Sequence, residues 1–468
     1  MSPATLLLVH DGGTVAGTLE QADGRTTLRY DDAWRAFGGA IALSLSLPLS
    51  KREHGHEQVD PFLWGLLPDN ELVLERWGKQ FQVSSRNAFR LLAHVGEDCP
   101  GAFQIVSPDR HEATRDSSRG VQWLTSSDVE RRLAAIRVDP SQTRTARDKG
   151  QFSLAGAQPK IALHRDGSRW GVPYGRTPTT HILKPPGVGF EGFAENEHFC
   201  LRLAQRVGLP VARSEVLRFG AQVAIVVERF DRVWTSQLAA SSATLAATEA
   251  ATIGDPSSAA RAARHAAQAA AMVQLAKERP ILRLHQEDLC QALGVPPTRK
   301  YQNEGGPSPR AIVELLRMAS SRASDDIWTF VDALALHWIL GATDAHAKNH
   351  SLLHAGRGSI RLAPLYDVAS ALPYPHLPQR KLKLAMSLGG EYGMHAIRAR
   401  HIAKLATEIR LDEQQTLARF RDLAASVARE AEPLAQQLRD DGLDTPLVGE
   451  LATAITKRAL QCTSLCSG

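Results

Sequence analysis

Alternating apolar and polar residues open the chain, and helical spacing follows. Residues 5–30 alternate around turns rich in Gly and Asp, which predicts a small antiparallel meander. Residues 60–95 carry apolar residues at helical spacing and predict helices, as in the string PFLWGLLPDNELVLERW. Together these patterns predict an α+β amino-terminal subdomain over residues 1–108.

A polar stretch separates this subdomain from a second set of strands. Residues 109–148 are polar and rich in Arg, apart from VQWL and a helical pattern at 127–136, so we predict a linker there. Strand patterns then return and predict a β-rich lobe over residues 149–234. Its predicted elements are paired strands at 160–164 and 180–184, an amphipathic helix at 194–207, and strands at 214–218 and 223–228.

The second half of the chain is predicted to be helical. Ala, Ser and Thr dominate residues 235–280, which predicts an insertion that is part helix and part flexible, because so little apolar bulk packs only weakly. Residues 281–468 predict a helical lobe. Its predicted helices cover 282–294, 310–318, 324–340, 401–410, 413–439 and 447–460, with a short strand at 381–386.

Composition narrows the class of protein but not its activity. A chain of 468 residues suggests two or three domains, and 43% hydrophobic with 22% charged residues is typical of globular proteins. The net charge of +5 permits a nucleic-acid or acidic partner without requiring one. We expect a cytoplasmic protein without a membrane partner, because neither an apolar run of membrane length nor a signal-peptide pattern is present.

The five cysteines predict neither a disulfide framework nor a complete metal site. They are odd in number and widely scattered along the chain. Cys462 and Cys466 near the carboxy terminus would supply at most half of a metal site. A frayed end is the simpler interpretation of that pair.

The polar loop after residue 340 carries the strongest chemical signal. Asp344 and Asn349 lie five positions apart, and Asp367 follows a turn at 356–358. Phosphoryl transfer from ATP requires a carboxylate that accepts the proton of the attacking hydroxyl. It also requires oxygen ligands for Mg²⁺, and protein kinases space these groups in the same way. The loop therefore predicts a phosphotransfer site.

Two other interpretations of this loop stay open from these residues alone. His346, His350 and His354 recur every four residues and could bind zinc from one helix face. Asn349 and the following glycines disfavour a helix there, and no Glu takes the general-base position of a zinc-protease motif. A polar turn with solvated side chains is the second alternative.

A loop rich in small residues precedes the strands of the β-rich lobe. In the string GQFSLAGAQPK, Gly156 lies between Ala155 and Ala157, so the backbone there can approach a phosphate closely. Ser153 lies on the same turn. Turns of this kind are common, so this signal is weak without the residues that follow.

The β-rich lobe adds further candidates in the order that a kinase requires. Lys184 ends a predicted strand, where a kinase lysine binds the α- and β-phosphates. Glu197 in the next helix could pair with Lys184 or with the metal, or simply favour the helix amino terminus. Glu228 and Phe230 follow a later strand and are candidates for the hinge beside adenine. The order of these signals predicts an ATP-dependent phosphotransferase with a bilobal, kinase-like fold.

The chain also resembles the HipA serine/threonine kinase toxins of bacterial type II toxin-antitoxin systems through nearly its whole length. The resemblance implies an α+β, bilobal protein-kinase-like fold of the HipA and PI3/4-kinase-like type, with a small α+β amino-terminal subdomain and an all-α carboxy-terminal lobe. The strings that carry it are FLWGLLPDN, SLAGAQPK, TPTTHILKPP, NEHFC, VERFDR, HQEDLCQALG, KYQNEGGP, GATDAHAKN, PLYDVAS and LKLAMS.

The resemblance implies a role for each matching residue. Asp344 would be the catalytic Asp, and Asn349 and Asp367 would bind Mg²⁺. Ser153 falls on the family's autophosphorylation site, and Glu197 is a possible partner of the ATP lysine. The implied ATP-binding residues are Ser153, Leu154, Ala155, Gly156, Ala157, Gln158, Lys184, Glu228, Phe230, His346 and Lys348.

The resemblance implies a function and partners as well. Members of the family phosphorylate a protein serine or threonine, with glutamyl-tRNA synthetase as a known target, and cause growth arrest and persistence. A helix-turn-helix antitoxin of the HipB type binds the toxin, and the pair represses its own operon on operator DNA. Two alternatives are a catalytically weak corepressor and a kinase for a small molecule or lipid head group.

Two features depart from the family pattern. Ala345 follows the catalytic Asp where Gly is frequent, and its methyl group is tolerated unless the backbone needs positive φ. The Ala-rich insertion at 235–280 has no counterpart in compact members, so lobe geometry or partner contacts could differ.

Overall fold

The computed structural model describes residues 4–466 apart from 12, 117–119, 144–154, 157, 188, 252–262, 264–265, 268–269, 278 and 356–357. Within this part of the chain, no helix is long and apolar enough to cross a membrane.

The amino-terminal domain is a five-stranded antiparallel sheet covered by helices. Its strand order is β4-β3-β2-β1-β5. The predicted meander and the predicted helices are both confirmed. The elements are β1 Ala4–His10, β2 Thr14–Ala22, β3 Arg25–Tyr30, α1 Asp32–Ala36, β4 Glu53–His54, α2 His56–Gly65, α3 Glu71–Phe81, α4 Ala88–Val95 and β5 Phe103–Val106.

A six-stranded sheet forms the second layer, in the order β10-β11-β9-β7-β8-β6. The predicted linker 109–148 is corrected in part, because β6 pairs with β8 and the apolar side of α6 packs into the core of this sheet. The elements are α5 Pro108–Asp116, β6 Gly120–Leu124, α6 Ser126–Val138, β7 Ile161–Asp166, β8 Arg169–Tyr174, β9 His181–Lys184, α7 Phe193–Arg206, β10 Ser214–Phe219 and β11 Gln222–Glu228.

The Ala-rich insertion leaves the fold from a short two-stranded stem. Strands β12 (Arg232–Trp234) and β13 (Ile281–Arg283) pair with each other. The hydroxyl of Thr235 donates to the carbonyl of Arg279 at 2.7 Å and closes the stem. Its described part includes helix α8 (Thr235–Ala251) and helix α9 (270–277), as the alanine content predicts.

The carboxy-terminal lobe is mainly helical, but the prediction of an all-α lobe is corrected by two small sheets. The string LRLHQEDLCQALG folds largely as strands, because β14 pairs with β15 and only four residues form a helix. The elements are β14 His285–Asp288, α10 Leu289–Ala292, α11 Pro309–Ala319, α12 Ala323–Leu340, β15 Ser351–Ala355, β16 Ser359–Leu362, β17 Lys383–Leu388, β18 Glu391–Gly393, α13 Ala399–Glu408, α14 Glu413–Asp440 and α15 Pro446–Leu465.

A buried cluster of charges joins the amino-terminal domain to the segment after β11. Asp98 lies within 2.9 Å of Arg232 and contacts Arg283 and Arg229 as well. Asp231 binds the same Arg229 and Arg232 at 2.9 and 2.7 Å. Two carboxylates and three guanidinium groups therefore share one buried site, which we call the interdomain charge cluster.

Candidate active site

A cavity of about 590 Å³ lies between the six-stranded sheet and the helical lobe. The sheet contributes Lys184 from the end of β9. The helical lobe contributes Asp344 and Asn349 from the loop after α12, and Asp367 from the segment after β16. The four side chains at the centre of the sequence prediction thus lie around one cleft.

Lys184 is the centre of a buried charge network. Its ammonium group donates to Glu197 Oε1 at 2.8 Å and also to Asp367. Burial opposes the charge on Lys184, but Asp367 and Glu197 outweigh it and raise the pKa of the lysine. Burial raises the pKa of Glu197. At Asp367, Lys184 and Lys160 overcome burial and lower the pKa to about 2, so this carboxylate is ionised at neutral pH.

Asp367 has a backbone conformation that non-Gly residues rarely adopt. Its φ is +57°, in the left-handed region. The hydroxyl of the preceding Tyr366 donates to the carbonyl of Lys348 at 2.8 Å, and Ser370 Oγ donates to the carbonyl of Leu340 at 2.6 Å. Such conformations cost about 1–3 kcal/mol and persist where neighbouring contacts enforce them, which is frequent at functional sites.

The loop that carries Asp344 begins at the end of helix α12. Gly341 caps the helix with φ +66°, a conformation that glycine adopts without steric cost. Asn349 Nδ2 donates to the backbone carbonyl of Asp344 at 2.8 Å, which fixes the two ends of the loop against each other. Ala345 is not among the described residues with positive φ, so its methyl group is accommodated.

The small-residue loop meets the cavity at Gly156, whose φ is +102°. Lys160 Nζ donates to the carbonyl of Ala155 at 2.7 Å, and a Cβ on Gly156 would lie 2.5 Å from that nitrogen. Burial lowers the pKa of Lys160 to about 8. Gln158 also lines the cavity. The remaining predicted loop residues lie outside the described residues: Ser153, Leu154 and Ala157.

The predicted hinge residues Glu228 and Phe230 also line this cavity. Glu228 ends β11, and the ring of Phe230 lies 5.5 Å from the ring of Tyr366, measured between centroids. Arg229, between them, belongs to the interdomain charge cluster and donates to Thr179 Oγ1 at 2.8 Å. The segment that carries the predicted hinge residues is therefore held by buried ion pairs.

His346 and Lys348 line the cavity but differ in their surroundings. Burial lowers the pKa of His346 to about 4, so the ring is neutral at pH 7. The ammonium group of Lys348 donates to Asp288 Oδ2 at 3.0 Å and to the carbonyl of Gly65 at 3.2 Å. The bond to Gly65 ties the loop to the amino-terminal domain, and the bond to Asp288 ties it to the end of β14. The assignment of Lys348 to ATP stays a prediction.

The alternative of a zinc site formed by three histidines is wrong. His354 lies on β15 and bonds to Glu287 at 2.9 Å, whereas His350 packs against Phe330 in the core. His346 faces Tyr301 instead. Among the described residues, no group of three His, Cys, Asp or Glu side chains is placed to hold a metal ion.

Two residues of the site were missed by sequence reasoning. Lys160 has a signal, since it ends the SLAGAQPK string, but it was assigned only to the start of a strand. Tyr301 donates a hydrogen bond to Asp344 Oδ1 and has no periodic or spacing signal in the sequence. Its position depends on contacts between the segment 297–306 and distant parts of the chain.

Comparison with known proteins identifies the family. The model described as HipA N-terminal domain matches residues 7–106, and the HipA-like C-terminal domain matches residues 152–431. The Sinorhizobium fredii protein Y4mE is 31% identical over 452 residues, which are 96% of each chain. The serine/threonine-protein kinase toxin HipA of Shewanella oneidensis is 26% identical over 392 residues, 80% of this chain and 76% of that protein.

A solved structure shows the same fold. It contains Shewanella oneidensis HipA with HipB and its operator DNA, and it matches with a TM-score of 0.74 at 22% identity. The match covers 99% of this chain and 98% of that chain, which confirms the predicted α+β, kinase-like fold. Since the two domain models cover most of the sequence and Y4mE aligns along nearly all of it, the chain belongs to the HipA family.

Proposed function

We propose that this protein is an ATP- and Mg²⁺-dependent serine/threonine protein kinase. One observation carries the proposal: Lys184, Asp344, Asn349 and Asp367 line one cavity, and Lys184 bonds to both Glu197 and Asp367. Phosphoryl transfer depends on positioning and charge neutralisation, and these side chains supply both.

The residues that line the cavity suit both parts of a nucleotide. Val227 and Phe230 supply apolar surface against which adenine would pack. Lys184 and Lys160 line the same cavity, and Lys160 lies beside Gly156 of the small-residue loop, so the two lysines would face the phosphates. The volume of about 590 Å³ lies within the range of ordinary ligand pockets.

The oxygen donors beside the phosphate end fit Mg²⁺. Asn349 uses its amide nitrogen to hold Asp344, so its amide oxygen is the atom available to a metal. Asp367 is ionised and its side chain is 29% exposed. One carboxylate and one amide oxygen, completed by phosphate oxygens and water, match the preference of Mg²⁺ for hard ligands. When bound, the ion would neutralise charge that develops on the phosphates.

The proposed transfer step uses Asp344 as the proton acceptor. The acceptor hydroxyl oxygen forms a bond to the γ-phosphorus, and the bond from that phosphorus to the β–γ bridging oxygen breaks. ADP leaves, and the hydroxyl proton passes to Asp344. Lys184, held by Glu197, orients the α- and β-phosphates.

Lys160 predicts a pH dependence of ATP binding. Its pKa of about 8 in the free protein means that the ammonium group loses its proton as pH rises through 8. Binding of ATP phosphates favours the protonated lysine, so the Kd for Mg²⁺·ATP should rise by up to about tenfold per pH unit above 8. Titration calorimetry between pH 7 and 9.5 measures this.

The control for Lys160 is a residue that stays charged. Lys160→Arg should bind Mg²⁺·ATP with little change over the same pH range, because a guanidinium does not titrate there. An equally steep pH dependence in Lys160→Arg would show that another group is responsible.

We further propose that the kinase acts as a toxin of a toxin-antitoxin pair. Support comes from the Shewanella oneidensis relative, a kinase toxin whose structure was solved with HipB and operator DNA. By that relation, a HipB-type helix-turn-helix antitoxin would neutralise this chain and bring it to operator DNA. The proposed target is a translation component, by family resemblance glutamyl-tRNA synthetase, whose phosphorylation would cause growth arrest and persistence.

Self-phosphorylation on Ser153 is part of the proposal. A phosphate there would add nearly two negative charges to the loop beside the ATP phosphates. Repulsion between like charges would then drive the loop away from the ATP phosphates. The residue itself lies outside the described part of the chain.

The test is the intact mass of the protein after incubation with Mg²⁺ and ATP. We expect the wild type to gain one phosphate, Ser153→Ala to gain none while still phosphorylating other proteins, and Asp344→Asn to do neither. A wild type that transfers phosphate to no protein or small molecule in a cell lysate would overturn the kinase assignment. Transfer to small molecules alone would replace the protein substrate.

A further inference from the structure

Tyr301 occupies a position that a kinase normally leaves to its substrate. The phenol hydroxyl donates a hydrogen bond to Asp344 Oδ1, on the carboxylate that we assign as proton acceptor. A hydroxyl that donates to this carboxylate has the geometry of the phosphate acceptor itself. Burial, followed by Asp344, raises the pKa of Tyr301, so the phenol keeps its proton at neutral pH.

The loop that carries Tyr301 is fastened at both sides. On the preceding residue, Lys300 Nζ donates to Asp69 Oδ2 of the amino-terminal domain at 2.8 Å. On the following residue, the side chain of Gln302 accepts from the backbone N–H of Ser387 at 2.8 Å. Tyr301 is therefore placed by two different parts of the molecule.

The ring of Tyr301 is only partly enclosed, and this separates it from a core tyrosine. It contacts the ring of His346 edge-on, at 5.0 Å between centroids, and the residue is only partly buried. Asp344 itself is exposed. The hydroxyl can thus leave Asp344 without opening the core, if another hydroxyl takes its place.

We propose that Tyr301 holds the acceptor-hydroxyl site in the absence of substrate, and that a substrate serine or threonine must displace it. The inference rests on the proposed kinase function. It makes Tyr301 a specificity-determining residue, because an acceptor must compete with a phenol donor already on Asp344. A water molecule makes no further contacts with the protein that would offset the loss of this hydrogen bond, whereas a protein substrate does. The contact thereby suppresses hydrolysis of ATP when no protein substrate is bound.

The experiment compares wild type with Tyr301→Phe, which keeps the ring but removes the hydroxyl. We expect the ATP hydrolysis rate without acceptor to rise about tenfold, the scale of one hydrogen bond to a charged group. With a non-hydrolysable ATP analogue and Mg²⁺, a serine-containing peptide library should bind about tenfold more tightly to Tyr301→Phe. Thermal unfolding verifies that the variant is folded.

The matched control is Tyr392→Phe on β18, which is not among the residues that line the cavity. It should change neither quantity. Unchanged or reduced hydrolysis in Tyr301→Phe, together with unchanged peptide binding, would overturn the inference and leave the kinase assignment intact. A wild type that transfers phosphate to no acceptor would instead contradict the kinase function, and peptide binding would still decide the role of Tyr301.

Discussion

Replacing Asp344 by Asn is expected to lower the rate of phosphate transfer by about 10²- to 10⁴-fold, the usual contribution of a general base. Asn keeps the size of the side chain and an oxygen that can accept the hydrogen bond from Tyr301. It cannot accept a proton at neutral pH. The substitution therefore removes the chemistry of the residue while it preserves the contacts of the loop, and the rate is measured with radioactive ATP.

The control for this change is Asp422→Asn, an exposed carboxylate on helix α14 outside the cavity. Its transfer rate should equal that of the wild type. Asp367→Asn should also be inactive, but for a different reason, because it removes the ionised ligand at the phosphate end. Self-labelling of Asp344→Asn at the wild-type rate would show that another group accepts the proton.

Packing contacts explain which parts of the fold the sequence could predict. The helices and the meander were predictable because one face of each packs into a continuous core, and this leaves a periodic pattern. The string LRLHQEDLCQALG was assigned to a helix and folds largely as strands. Its buried polar residues find partners far away in the sequence: Glu287 accepts from the backbone N–H of Leu45 at 3.0 Å, and His285 bonds to the carbonyl of Leu43 at 2.9 Å.

The residues of the candidate site also divide into those that the sequence could predict and those that it could not. That Lys184, Asp344, Asn349 and Asp367 line one cavity was predictable, because the types and the order of these residues follow the pattern of phosphotransfer sites. Tyr301 was not, since any tyrosine in a polar loop has the same appearance. Its hydroxyl lies on Asp344 because the loop is fastened on one side by Asp69, 231 positions before Lys300, and on the other side by Ser387.

The role of the VERFDR string was also beyond prediction from the sequence. Its Glu228 and Phe230 were assigned to adenine, yet the charged residues between and after them form the interdomain charge cluster. Their carboxylate partner Asp98 lies 131 positions before Arg229, in the amino-terminal domain. The segment that carries Glu228 and Phe230 therefore also joins the two domains, and a change in the charge cluster should alter the position of these two residues.

Replacing Asp98 by Ala tests that joint and is expected to destabilise the protein by about 3–5 kcal/mol. Asp98 binds Arg232 and Arg283 and accepts from the backbone N–H and hydroxyl of Thr179 at 2.9 and 2.7 Å. Its removal leaves three buried guanidinium groups with one carboxylate, and buried charge without a partner is far costlier than a lost surface ion pair. The urea midpoint should fall by about 1 M or more.

The pH dependence of the stability distinguishes the contribution of the charge cluster from that of apolar packing. Burial opposes the charge on Asp98, but Arg283, Arg232 and Arg229 outweigh it and hold the pKa of its carboxyl far below the ordinary range. The stabilisation of the folded state by ionised Asp98 is therefore fully present above about pH 4, the pKa of Asp in the unfolded chain. It is lost as the pH falls below that value. Wild type and Asp98→Ala should converge in stability towards low pH.

The control Asp166→Ala breaks an exposed pair with Arg169 and should shift stability by less than about 0.5 kcal/mol. Equal urea midpoints for the two variants would mean that apolar packing, and not the buried charges, holds the amino-terminal domain against the segment after β11.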